Sequence, residues 1–406
     1  MRLRDFFSIA GALLVWTAPA HAYELSGADP FRVQLRPAFK QSLALPGLSA
    51  SRLRLDFEAE AGRRWSLEVA YEHQVVSRFA GSGGSSAGLA SQSASPYRLG
   101  AESEPIMDWG APLSWRQNLD RAVLAYYGDS FDIRVGRQAI GLGRGSLFGA
   151  IDVFAPFSPL SVDREWRPGV DALHLDWRVS ETMSVDLMAA ASEGFAEGVA
   201  LARIRGYWGD FDGALIGGHR AGDWVLAVVG SAAIGESSVY GEGAVYRTNG
   251  RGLLHGIFGS ERWTSKAVVG AIHVWGVGAG LVGTLEYHFN GFGISDVFAD
   301  APSLIDPDVQ ARAARGDLQS LGRHQWGASL ALMTDAEVQV GLGLTQSLLD
   351  GSGLAVPSLV WVVSDALTLT ALASLPWGHP AGADGSLRSE YGGLPRSGLV
   401  QVAIYE

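Results

Sequence analysis

From Leu53 to Glu60 the side chains alternate without a break: Leu53-Arg54-Leu55-Asp56-Phe57-Glu58-Ala59-Glu60, one greasy and the next charged. A strand sends successive side chains to opposite faces, so this stretch builds a surface that is apolar on one side and ionic on the other. The same period of two recurs along the chain in segments of about ten residues. Tight turns such as Ala61-Gly62-Arg63, Gly128-Asp129-Ser130, Ser180-Glu181-Thr182, Gly209-Asp210-Phe211, Thr334-Asp335-Ala336 and Ser364-Asp365-Ala366 punctuate it. Between them fall the longer stretches 78–115, 141–168, 249–262, 290–322 and 378–396. A soluble sandwich also alternates, but nothing in it sends its short and long connections to opposite ends. A closed barrel in a membrane requires both features, with lipid outside, water inside and every backbone group paired around the ring.

Alternation and turn residues together predict about eighteen strands. They lie near 31–40, 51–60, 64–76, 116–127, 131–140, 169–179, 183–191, 199–208, 212–219, 224–234, 237–247, 264–275, 278–289, 323–333, 337–347, 354–363, 367–377 and 397–405. About sixteen strands is the alternative count. The fold class read from this is all-β: a transmembrane antiparallel β-barrel with periplasmic termini and long extracellular loops. Tryptophan supports two interfacial belts. Trp65, Trp177, Trp208, Trp275 and Trp361 stand beside the short turns, and Trp115, Trp224, Trp263, Trp326 and Trp377 at the opposite strand ends. The stretch from Asp306 to Leu318 has the composition of a short helix within its loop, and residues 81–95 are a Gly/Ser-rich low-complexity segment.

The N-terminus carries Arg2 and Arg4, an apolar run from Phe6 to Trp16, and then Ala20-His21-Ala22. That order predicts a cleaved secretory signal peptide over 1–22, leaving 23–406 as the barrel. The cell outer membrane of a Gram-negative bacterium is the expected destination, with lipid and lipopolysaccharide as surroundings. With 31 Lys+Arg against 42 Asp+Glu, the net charge of −11 argues against nucleic acid as a partner. With 0 cysteines, disulfides, thiolate metal sites and thiol catalysis are excluded. The 9 histidines are scattered without ligand spacing, no local signature singles out a nucleophile, and the glycine run 141–145 lacks a phosphate cradle's setting. Neither an enzyme nor a cofactor is expected.

Following the polar parity inward gives the pore-lining candidates: Arg32, Arg36, Arg54, Asp56, Glu58, Glu68, Glu72, Arg121, Asp132, Arg134, His174, Asp176, Arg178, Asp186, Arg203 and Arg205. Later strands add mostly Ser, Thr, Gly and Gln, with Glu286 and His288 as exceptions. One wall is therefore charged with both signs, either a transverse field for solute or a salt-bridged wall that holds shape. The loop Gly141–Gly169 is unusually apolar for one bathed in water, and folding it into the mouth or lumen is the simplest way to bury it. Its constriction candidates are Arg144, Phe148, Asp152, Phe154, Phe157, Asp163, Arg164, Glu165 and Arg167. A lid on the rim is the other reading.

The hairpin Leu119-Asp120-Arg121-Ala122-Val123-Leu124-Ala125-Tyr126-Tyr127, a Gly-Asp turn, then Phe131-Asp132-Ile133-Arg134-Val135-Gly136-Arg137-Gln138 resembles one ending in Gly-Arg-Gln in alginate-export-like outer-membrane barrels. It is similar too to single-chain barrels of surface-polysaccharide assembly systems. The resemblance implies a monomeric pore that passes a polysaccharide outward, assisted by periplasmic export components. The exporter of acidic alginate has a basic lumen, whereas the inward charges here are mixed. The usual C-terminal aromatic also falls one residue short, at Tyr405. Polysaccharide export is thus the first functional reading, with Tyr127, Gln138 and Tyr207 as lumen groups for sugar. The alternatives are a diffusion porin for small hydrophilic solutes and a structural barrel without a through-pore.

Overall fold

The computed structural model describes residues 31–45, 47–78, 97–99, 105–108, 113–154, 165–192, 197–249, 262–277, 279–297, 304–334 and 337–405. The signal-peptide expectation, the low-complexity segment 81–95 and the loop residues Phe157, Asp163 and Arg164 lie outside them.

The strands are β1 (Phe31–Leu45), β2 (Leu48–Ala61), β3 (Trp65–Arg78), β4 (Pro105–Asp108), β5 (Leu113–Tyr127), β6 (Phe131–Gln138), β7 (Val170–Arg178), β8 (Met183–Ala190), β9 (Val199–Trp208) and β10 (Phe211–Arg220). They continue as β11 (Asp223–Ile234), β12 (Ser237–Arg247), β13 (Trp263–Trp275), β14 (Leu281–Asn290), β15 (His324–Met333), β16 (Val338–Ser347), β17 (Gly353–Ser364), β18 (Leu367–Trp377) and β19 (Ser397–Tyr405). Each pairs antiparallel with its neighbour, and β19 pairs with β1 to close the ring. Because β3 pairs directly with β5, the ring itself has 18 strands. The short β4 lies beside Ser114–Arg116 of β5, on the stretch of β5 that reaches beyond its pairing with β6.

All the long connections gather at one end of the barrel; the other end carries only short turns. The long-loop end also has tight hairpins, among them Ala221-Gly222 between β10 and β11. Both residues there have positive φ (47° and 88°), the left-handed pair that a two-residue hairpin needs to match the strand twist.

The faces separate as a membrane barrel requires. In β13 and β14 the outward Val269 and Leu285 are 63% and 59% exposed, while the inward Val268 and Glu286 are 0% and 1% exposed. Outward aromatics stand exposed at both ends, Trp65, Trp177 and Trp208 beside short turns and Trp224, Trp263 and Trp377 at the other. A water-soluble fold would turn its apolar faces the opposite way.

The main buried apolar cluster lies inside the ring. Ile140, Leu142, Ile151, Val153 and Phe154, from the connection after β6, pack on Val170, Leu201, Ile216, Ala227, Ala244 and Tyr246 of the inner wall. One helix, α1 (Pro307–Ala314), interrupts the connection after β14, capped by the Asp306 side chain, which accepts from the Asp308 and Val309 amides.

Candidate functional site

Cross-strand partners share a face, so the pairing register places the predicted lumen residues. On the first wall Arg32 stands opposite Glu60, and Arg36 is ion-paired with Glu58. Arg54 is the centre: its guanidinium reaches Asp56 at 2.9 Å, Glu72 at 2.8 Å and Asp120 at 2.8 Å. Arg121 adds a bond to Asp120 at 2.7 Å and lies 3.8 Å from the Glu68 carboxylate. Asp120 and Arg121 are consecutive yet both buried, because the register between β3 and β5 shifts at Ala70/Tyr71 and leaves Asp120 as the extra residue of a bulge. Arg98 joins them, bonded to the Gly169 carbonyl at 2.8 Å and to Asp120 at 3.4 Å.

On the second wall Arg178 pairs with Asp132 at 2.6 Å, and Arg134 stands exposed opposite His174. Asp186, fully buried, accepts from His174 at 3.0 Å and Arg203 at 2.8 Å, and Arg205 pairs with Asp176. A buried carboxylate with this many partners is tolerable where an isolated one would not be. By contrast the inner face of β16 and β18 carries Gln339, Thr345, Thr368, Thr370 and Ser374, uncharged and half-buried.

The connection after β6 descends between these walls and is fastened by its backbone. Glu242 of β12 accepts the amides of Arg144 at 3.1 Å and Ala150 at 2.7 Å. Glu286 of β14 accepts those of Ser146, Leu147 (3.0 Å) and Phe148 (2.9 Å), along with the Tyr240 hydroxyl. Arg144 pairs with Asp212 of β10, and Phe148 stacks on His288 at 4.9 Å. The glycine run serves this docking. A Cβ on Gly143 would sit 2.6 Å from Glu242 Oε2, and one on Gly145 would strike the Phe148 carbonyl oxygen at 1.8 Å.

The returning limb crosses to the other side. Asp152 binds Arg167, and burial pushes the Asp152 carboxyl up against the pull of that arginine. The Arg167 carbonyl accepts from Arg121 at 2.6 Å. Glu165 meets Lys40 of β1 at 2.6 Å and the Tyr405 hydroxyl of β19 at 2.9 Å. The Trp166 ring lies 4.0 Å from the Lys40 ammonium and 4.8 Å from the Arg54 guanidinium. In the ring order β10 lies across from β1, so the two described limbs of this connection touch opposite walls.

Several residues of this site escaped the sequence reading. Glu242 and Lys266 sit among small residues on strands read as uncharged, although their parity matches Tyr240 and Asn290, their inward neighbours. Gln138, read as a sugar contact, is corrected: it is buried, and its amide donates to the Ala172 carbonyl at 3.0 Å. Its neighbour Arg137 pairs with Asp171 at 2.7 Å. Tyr207, in register with Asp212, keeps about half its surface open. Among the described residues no group of three or more His, Asp or Glu gathers to hold a metal.

A second set of buried charges lies at the long-loop end. Arg220 pairs with Asp317, which also lies 3.4 Å from Arg312 of α1, and Arg312 reaches Asp223 at 2.8 Å. Burial alone would raise the Asp317 carboxyl, but Arg220, Arg315 and Arg312 bring it down to about 2. Near β15, burial pushes Glu390 up, although it accepts from the amides of Leu321 and Gly322 and from Gln325 at 2.6 Å.

No protein-family model matches the chain, and no curated protein matches it. Solved structures do. Wzi of Escherichia coli, an outer-membrane protein involved in group 1 capsule assembly and described as a carbohydrate-binding β-barrel, aligns over 91% of this chain and 84% of its own, with 12% identity and a TM-score of 0.54. OccK8 (OprE) of Pseudomonas aeruginosa aligns over 92% and 98%, with 10% identity and a TM-score of 0.52. OccD3 (OpdP) of the same organism covers 95% and 93%, at 9% identity and a TM-score of 0.50. At such identities the likeness is one of fold: the chain has the closed antiparallel β-barrel fold of these outer-membrane proteins.

Proposed function

We propose that this barrel is a selective channel for small hydrophilic solutes. The observation that carries the reading is the loop after β6, whose described limbs touch opposite inner walls and which is tied by backbone amides to Glu242 and Glu286. A segment held by that many charge-assisted bonds and by an apolar core is a fixed constriction. It leaves a bore bordered by the uncharged face of β16–β19 and by ion-paired walls, which suits a hydroxyl-rich solute better than an acidic polymer. The orientation that goes with this reading puts the short turns and the termini in the periplasm and the long loops outside. A cleaved leader over 1–22 and a monomer in lipid and lipopolysaccharide complete it.

Polysaccharide export is the second reading, favoured by the fold likeness to Wzi. It requires the constriction to swing aside when polymer is delivered by periplasmic components. Planar-bilayer recording of the purified protein tests the first reading. Steady single-channel conductance without any partner supports it. Absence of conductance both in the native protein and after deletion of 141–154 refutes any through-pore. A deletion strain that loses surface polysaccharide while small-solute uptake stays normal favours export.

A further inference from the structure

Between the constriction and the wall lies a polar cavity. Its volume is about 300 Å³, at the small end for ligand sites, and it is bounded by the backbone of Gly141–Arg144 above and by β9 and β10 on its flank. Arg203, Arg205 and Tyr207 point into it from β9, Asp212 from β10 and Arg144 from the loop. The charges here cancel locally. Arg144 pairs with Asp212 on the lining itself, while Arg203 pairs with Asp186 at 2.8 Å and Arg205 with Asp176, two carboxylates that stand outside the lining, so each guanidinium has its counter-charge in contact.

A guanidinium carries five N–H donors and a carboxylate about four acceptor positions, so each pair keeps hydrogen-bonding capacity after pairing. The cavity therefore offers guanidinium donors beside the Asp212 acceptor, with each guanidinium's charge already countered by its own carboxylate. Tyr207 adds an apolar ring face and a hydroxyl. Adjacent donors and acceptors next to an aromatic plate complement vicinal hydroxyls on a ring whose C–H face is apolar.

We propose that this cavity is a binding subsite for a neutral saccharide of one or two rings, a specificity-determining station on the channel. The proposal rests on the solute-channel reading for its role, while its binding chemistry is testable without conduction. The full chain in detergent micelles is examined by saturation-transfer NMR with maltose, citrate and spermidine as separate probes. Maltose gives a saturable signal, and Tyr207→Ala lowers it at least about five-fold, the size of one lost aromatic contact. Citrate and spermidine give none. Should Tyr207→Ala fail to assemble, Asp212→Asn, which keeps the ring and alters one acceptor, carries the same comparison.

A saturable citrate or spermidine signal without a maltose signal overturns the proposal, as does a maltose signal unchanged in the variant. Conductance in bilayers without maltose binding overturns the subsite and leaves the channel. Maltose binding without conductance sustains the subsite and removes the channel.

Discussion

Asp120 shows how much of this interior hangs on single side chains. Its carboxylate serves Arg54, Arg98 and Arg121, and it accepts the Gly169 amide at 3.0 Å, tying the wall to the end of the constriction loop. Replacing it with alanine leaves three buried guanidiniums short of a partner, and losing one member of a buried pair costs about 3–5 kcal/mol. Asp120→Ala is therefore expected to lower the unfolding free energy of the micelle-bound barrel by that amount, read from a fall in its urea midpoint, and an unchanged midpoint refutes the account. Alternation alone hid this residue, because a bulge puts two neighbours on one face and period two then assigns one of them wrongly. Asp317 makes a pH prediction. Its folded value of about 2 lies below the unfolded aspartate value of roughly 3.9, so its pairing contributes stability that is whole above about pH 4 and is lost as pH falls toward 2. Hydrogen exchange of residues 304–323, corrected for intrinsic rate, should show protection falling over that window. Flat protection from pH 5 to 2 contradicts it.

Among the elements, the strands were legible in the sequence, and so was the mouth or lumen as the loop's simplest destination, but not the groups that receive it there. Period two located β9, β12 and β18 to the residue or nearly so, since a half-turn of misplacement would turn every apolar side chain toward water. The helix near Asp306 was legible too, from its acidic cap and the following Pro307. Phe148, Ile151 and Phe154 announced that their loop needed burial, most simply in the mouth or lumen, but not against which side chains. The receiving groups, Glu242 and Glu286, lie more than ninety residues away, on strands whose own pattern says nothing of a guest. Neither Gly143 nor Gly145 could be assigned a purpose until the carboxylates beside them were seen. Glu286→Gln is predicted to weaken the docking, since an amide offers one acceptor where the carboxylate offers two; each charge-assisted bond lost is worth about 1.5–3 kcal/mol. Noisier and higher single-channel conductance checks this, with the unfolding midpoint of the ring little changed. A quiet trace identical to wild type would show that the loop is held by its apolar core alone.

At the scale of the whole molecule the decisive property is the inverted solvent preference of its surface. Val269 lies mid-strand on the outer face at 63% exposure. In a bilayer an arginine there costs about 2–4 kcal/mol, whereas on a water-facing surface the change stays within about 0.5 kcal/mol. Urea unfolding of Val269→Arg in phospholipid vesicles separates the two, and a negligible shift would remove the membrane from the account. The ring also has a seam, where the first and last strands meet. Glu165 binds Lys40 on one side of that join and Tyr405 on the other, so the constriction doubles as a clasp across it. This docking needs both strands already in place. During insertion the limb bound by Glu242 and Glu286 can dock before closure, whereas the Glu165 clasp can form only once the circle is complete.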